Sequence, residues 1–342
     1  MISILAASIF IAPIRATDPV TDDADDPAIW RNRRFPERSL VLGTNKVKKP
    51  DGAIYAFNLK GKTVQVVRNV DRPNNIDVLY DLSTPRGFMD LAVVSERKAG
   101  QIRIFGIDAE TGKLSDVTGN TAVVGKGLEG VGEPMGIVAF RRGGRCFAVV
   151  APKSGPADGY LEEYELLYNG LTNRVDAHFR QRYGAYSGKK EIEALAYDSA
   201  TDTIYYSDEQ FGNRRAPRTG KSDAGFRINA DFRLDHEGLD FWRRGNAPGY
   251  LVCTDQLPKA SIYRVHDAKT MAMKGQFSVG ADSTDGICID ARPLGPEFPR
   301  GLMVVMDSVN KRYLYVDWRD VEEKLGLPHP LGREQSYGKD PF

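Results

Sequence analysis

At 342 residues the chain can form one large β domain or two ordinary ones, and 41% apolar content with a mean hydropathy of -0.40 suits a soluble protein with an ample core. Its 47 Lys and Arg nearly cancel its 46 Asp and Glu, so no global field draws it to nucleic acid or to an anionic membrane. Cys146, Cys253 and Cys288 sit inside apolar strand patterns and form no paired framework, and His178, His236, His266 and His329 lack zinc-like spacing; a disulfide scaffold and a zinc centre are both excluded.

The N-terminus, ISILAASIFIAPIRA, is an apolar run with small residues near Ala16. Residues 1–16 read as a signal peptide and 17–342 as a single mature domain, which predicts a secreted or periplasmic protein. The run is too short to span a bilayer. A buried N-terminal strand is the alternative.

From there a pattern repeats six times. A short apolar strand with a polar or acidic start is followed by a second that ends in charge. The first strands are DPAIW from Asp26, IDVLY from Ile76, MGIVA from Met135, EALAY from Glu193, EGLDF from Glu237 and DGICI from Asp285, starting about 44 to 59 residues apart. The second strands run to Lys46, Arg97, Lys153, Glu209, Asp255 and Asp307. Third strands follow at 53–59, 101–107, 160–167 and 261–267, and fourth strands in TVQVVRNV, RVDAHFRQRY and KGQFSV. Only WRDVEEKLG reads as helix, stopped by Gly326. The pattern predicts an all-β, six-bladed β-propeller. In an antiparallel hairpin the start of one strand and the end of the next share an edge, so all twelve ends face one mouth.

Two connections are long. Residues 108–133 are Gly-rich and polar; 210–225 carry Arg214, Arg215, Arg218 and Lys221, as a solvated loop or a basic lid over an anionic substrate.

The acidic ends are Asp25, Asp26, Glu193, Asp208, Glu209, Asp235, Glu237, Asp282, Asp285 and Asp307. Like charges about 4 Å apart cost on the order of 4 kcal/mol at an effective dielectric near 20, and bound cations remove that penalty. Oxygen ligands without His or Cys point to several Ca²⁺ ions. Lys46, Arg97 and Lys153, at equivalent ends of three successive repeats, form a candidate anion cradle. With no nucleophile elbow, Walker A loop or phosphohistidine motif, metal-assisted hydrolysis is the chemistry that remains.

DADDPAIW, TNK, NNIDVLYD, LDHEGL, STDGI and LGPEFPRG resemble, in order and spacing, the β-propeller phytases, from about Thr21 to Trp318. The resemblance implies calcium at the channel mouth and release of phosphate from inositol hexakisphosphate. By matching motif, Asp26, Glu193, Asp208, Glu209, Asp235, Glu237 and Asp285 become calcium ligands or their supports. Lys46, Arg97 and Lys153 become phosphate ligands, and Asn75 and Asp77 fall in a segment lining the family's site. Glu193, Asp235 and Glu237 with the three basic residues form the expected catalytic set. The chain departs from the family at Met135, at the shortened SVGADSTDG and at the basic 210–225 segment. Two alternatives are a calcium-dependent lactonase or esterase and a non-catalytic propeller that binds anions or protein. The expected partner is a small polyanion, with neither nucleic acid nor membrane, and the expected state is a monomer.

Overall fold

The computed structural model describes residues 8–120, 123–219, 223–244 and 247–328, together with Ala122. Its described residues form six sheets, antiparallel but for one short parallel pair, with one α-helix and a 3-10 turn at Pro36–Arg38. Blade one is Ala24–Trp30, Leu40–Asn45, Ala53–Asn58 and Thr63–Arg68; blade two is Pro73–Thr84, Gly87–Glu96, Gln101–Ile107 and Leu114–Asp116. Blade three is Pro134–Arg142, Arg145–Pro152, Asp158–Asn169 and Arg174–Ala185. Blade four has three strands, Ile192–Asp198, Thr203–Asp208 and Gly212–Pro217. Blade five is Asp235–Trp242, Tyr250–Gln256, Ile262–Asp267 and Met273–Ser278, and blade six begins with Ile287–Asp290, Leu302–Asp307 and Arg312–Asp317. The first strand of each blade packs against that of the next, and blade six returns to blade one, which closes a six-bladed propeller.

The near-continuous apolar second strands follow from this arrangement. Each sheet lies between two others, and alternate side chains go to opposite faces. Leu91 and Val93 therefore face blade three while Ala92 and Val94 face blade one. Val41 packs toward blade six and Leu42 toward blade two. Six clusters result, one per blade interface, and each fully buried Val, Leu or Phe within them contributes about 1.5–3 kcal/mol.

Around the channel the inner strands are latched by aspartates that accept a backbone N–H from the next blade. Asp26 bonds Ile76 N at 3.0 Å, Asp77 bonds Ala139 N at 2.7 Å, and Asp240 bonds Ile289 N at 2.6 Å. Glycines permit this approach. A Cβ on Gly286 would lie 2.2 Å from Asp26 Oδ1, and one on Gly238 would lie 2.7 Å from Ile287 N. This is a physical reason for glycine in the LDHEGL and STDGI motifs.

Residues 9–16 complete the outer edges of two blades. Arg15–Ala16 pairs with Arg312–Asp317 as the fourth strand of blade six, and Ile9–Phe10 adds in parallel to the outer edge of blade five. Ile11 is buried in the interface between blades five and six. Residues 9–10 and 15–16 thus pair as strands, with Ile9 and Phe10 exposed at 39% and 62%; residues 1–7 lie outside the described residues. The expected helix spans Trp318–Leu325, with Asp317 capping Arg319 N and Gly326 left-handed at φ 61.

The 210–225 segment differs from expectation. Gly212–Pro217 is the third strand of blade four, and its arginines are committed internally. Arg214 pairs with Asp208 at 3.0 Å, Arg215 with Asp223 at 2.6 Å, and Arg218 with Glu163 at 2.7 Å and Asp202 at 2.9 Å. Arg214 and Arg215 tie the blade to itself, Arg218 joins it to Glu163 of blade three, and none of the three forms a lid; Lys221 lies outside the described residues. Likewise Leu114–Asp116 turns part of 108–133 into the outer strand of blade two. All three cysteines are free and buried.

Candidate active site

At the edge where inner strands begin and second strands end, pairing brings Ala24 opposite Asn45, Pro73 opposite Glu96, Pro134 opposite Pro152, Ile192 opposite Asp208 and His236 opposite Asp255. The expected charges therefore share one mouth. They divide there into a gathered group and residues committed to the frame.

Lys46 Nζ stands 3.0 Å from Asp25 Oδ1 and 2.5 Å from Asp285 Oδ2. Burial alone would lower its pKa, but Asp25, Asp285 and Glu193 raise it well above the ordinary lysine value, so it stays charged. Gln256 donates to the other oxygen of Asp285. Glu193 accepts from Asn74 Nδ2 at 3.2 Å, and its backbone carbonyl accepts from Asn75 Nδ2 at 2.8 Å. Oxygens of Glu191, Glu193 and Glu209 lie within 4.8 Å of one another, as do those of Glu209, Asp235 and Glu237.

Burial pushes Glu193 up to about 7 and Glu209 to about 8, with repulsion from neighbouring carboxylates adding to both shifts. Asp25 and Glu237 are driven well above the carboxylate range for the same reasons. Asp25 Oδ2, Glu209 Oε1 and Glu237 Oε2 are buried without a hydrogen-bond partner. Unmet acceptors of this kind each cost about 1–3 kcal/mol or more.

The cationic side of the mouth is also engaged. Lys153 pairs with Glu191 at 2.9 Å, and Arg97 reaches Glu133 at 3.3 Å and Asn74 Oδ1 at 3.4 Å. Lys153 remains 42% exposed, whereas Arg97 is 8% exposed and fixed.

Other expected site residues hold the frame. Asp26 and Asp77 are the channel latches described above, and both line a cavity of about 40 Å³ bounded by all six inner strands. Burial raises Asp77 to about 7. Asp208 is taken by Arg214 and by Ser187 N and Oγ at 2.9 and 2.6 Å. Asp282 accepts from Lys259 N at 2.6 Å, and its own N–H bonds Asp307, which is held by Arg312 at 3.2 Å and Asn310 at 2.8 Å. Met135 is buried, and its carbonyl accepts from Ser95 Oγ at 2.6 Å, so it enters the site only through its backbone.

A family model described as Phytase matches residues 6–326. The chain belongs to the phytase family. It is 26% identical over 334 residues to the 3-phytase of Bacillus subtilis (strain 168), covering 91% of this chain and 84% of that protein. A solved luciferin-regenerating enzyme has the same fold at 10% identity, with a TM-score of 0.50 over 89% of this chain and 94% of that one. Family membership makes the protein a phytase-type hydrolase acting on a phosphate ester.

The mouth fits a hard cation for such a hydrolase. Its donors are carboxylate oxygens, several lie close together, and three are buried with unused acceptor capacity. Sequence reasoning missed Glu191, Lys190, Asn74 and Gln256 in this group. A signal for Glu191 was present: in EIE the period of two puts Glu191 and Glu193 on one face of an extended segment.

Proposed function

We propose that the protein releases phosphate from inositol hexakisphosphate with calcium bound among Asp25, Glu193, Glu209, Asp235, Glu237 and Asp285. The observation that carries this reading is the set of buried carboxylates with unpartnered oxygens, Asp25, Glu209 and Glu237, beside basic residues at one mouth. Bound there, calcium would neutralise phosphate oxygens and hold a water that loses its proton to become the attacking hydroxide.

The chain's own residues do the rest. Lys153 is exposed enough to leave Glu191 for a substrate phosphate, and Arg97 offers a fixed guanidinium behind it. Lys46, clamped by Asp25 and Asp285, places one positive charge at the seam between blades one and six. In the metal-free protein burial and mutual repulsion raise Glu193 and Glu209 toward neutral pH, and a divalent cation bound among them would hold both as carboxylates. The cysteines take no part, since all three are buried.

Among the described residues no helix is long and apolar enough to cross a membrane. An exported, monomeric protein is part of the same proposal, testable by cell fractionation and light scattering. The deciding experiment measures phosphate release from phytate with Ca²⁺ and again after EDTA. Calcium-dependent release is expected, and no release under either condition would sink the reading.

A further inference from the structure

The segment entering blade four carries a residue to which the hydrolytic reading gives no role. Lys190 Nζ forms an ion pair with Glu209 and stands 2.6 Å from Asp235 Oδ2. These are two of the three carboxylates whose oxygens cluster within 4.8 Å, the third being Glu237. A positive charge attached to the chain therefore already lies over the group.

Its base is anchored. The Lys190 carbonyl accepts from Tyr186 Oη, Lys189 Nζ donates to Gln210 O at 3.1 Å, and Ser187 holds Asp208. Its head is not enclosed, because the side chain is 39% exposed. One ammonium is also an incomplete answer to three carboxylates. It offers a single charge and three donors, and Glu209 Oε1 and Glu237 Oε2 stay buried without a hydrogen-bond partner. A divalent ion carries twice the charge and accepts six or more oxygens.

We propose that Lys190 is a tethered counter-ion that holds the Glu209–Asp235–Glu237 position in the metal-free protein and must swing outward before a divalent cation settles there. The affinity of that position is then the difference between metal and lysine. The anchored backbone supplies the pivot and the exposed side chain the way out. This inference rests on the calcium reading of the mouth.

Calcium is titrated calorimetrically into the metal-free full-length protein and its Lys190→Met and Lys190→Arg variants, and thermal unfolding is followed with and without Ca²⁺. In Lys190→Met one equivalent should bind about tenfold or more tightly than in the parent, a difference of about 1.4 kcal/mol. Lys190→Arg, which keeps the charge, should stay close to the parent. Without metal Lys190→Met should melt lower, and Ca²⁺ should raise its Tm more than the parent's. If Lys190→Met does not fold, Lys190→Gln carries the same expectations. Superimposable isotherms for the parent and the charge-removing variant overturn this inference alone. Heat of binding in none of the proteins overturns the calcium reading and the inference with it.

Discussion

Lys46 Nζ lies 2.5 Å from Asp285 Oδ2, although the two residues are 239 positions apart in the chain. One follows the second strand of blade one and the other precedes the first strand of blade six, so their contact spans the seam where the ring closes. The same ammonium holds Asp25 at 3.0 Å. The seam and the candidate active site are therefore one structure.

Lys46→Met should damage both at once. It leaves Asp25 and Asp285 without their counter-ion, and removing one partner of a buried pair costs roughly 3–5 kcal/mol; with Lys46 at 16% exposure the lower end applies. Urea unfolding should show that loss, and phosphate release from phytate should fall about tenfold or more. Full activity with a lowered urea midpoint would restrict Lys46 to a structural role.

Stability of the metal-free protein should fall as pH rises. Glu193 is raised to about 7 and Glu209 to about 8, from ordinary values near 4.5. Between those limits the folded state binds more protons than the unfolded one, so their contribution is fully present below about 4.5 and lost by about 8. Thermal melts in EDTA from pH 5 to 8.5 should show a decline of several degrees, and excess Ca²⁺ should flatten it. A flat profile in EDTA would contradict the assigned shifts.

Removing residues 1–16 should destabilise the propeller. The deletion takes away the fourth strand of blade six and the side chain of Ile11, which is 2% exposed. Losing a buried aliphatic side chain alone costs about 2–5 kcal/mol. Equal denaturation midpoints for the full and shortened chains would show that these pairings contribute nothing.

Gly286→Ala should cost about 1–3 kcal/mol or more, because overpacking forces backbone to move. The new Cβ would meet Asp26 Oδ1 at 2.2 Å and Asp26 Cα at 2.7 Å. Since Asp26 also latches blade one to Ile76, the strain passes to the channel. A circular-dichroism melt of the variant within a degree of the parent would refute this account.

The repeat was legible because each sheet is covered on both faces. That burial makes runs such as LAVVS continuous, and continuous runs at regular spacing can be counted. The third strand of blade four escaped notice for the opposite reason. GNRRAP has no β-branched residue and reads as a loop, yet Asp208, Asp223, Glu163 and Asp202 satisfy its arginines and those beside it. The two-residue strand at Arg15–Ala16 is too short to show any period at all.

By itself the sequence determined the six-fold β architecture, the single mouth and the sorting of charge around it, since these follow from local alternation and from where each strand begins and ends. Which charges meet was decided only by the closed ring. Asp26 and Asp77 lie within the repeat as plausibly as Asp25 and Asp285, but one pair accepts backbone N–H groups inside the channel and the other shares Lys46. Partners from different blades are set by three-dimensional closure and burial, and no spacing along the chain encodes them.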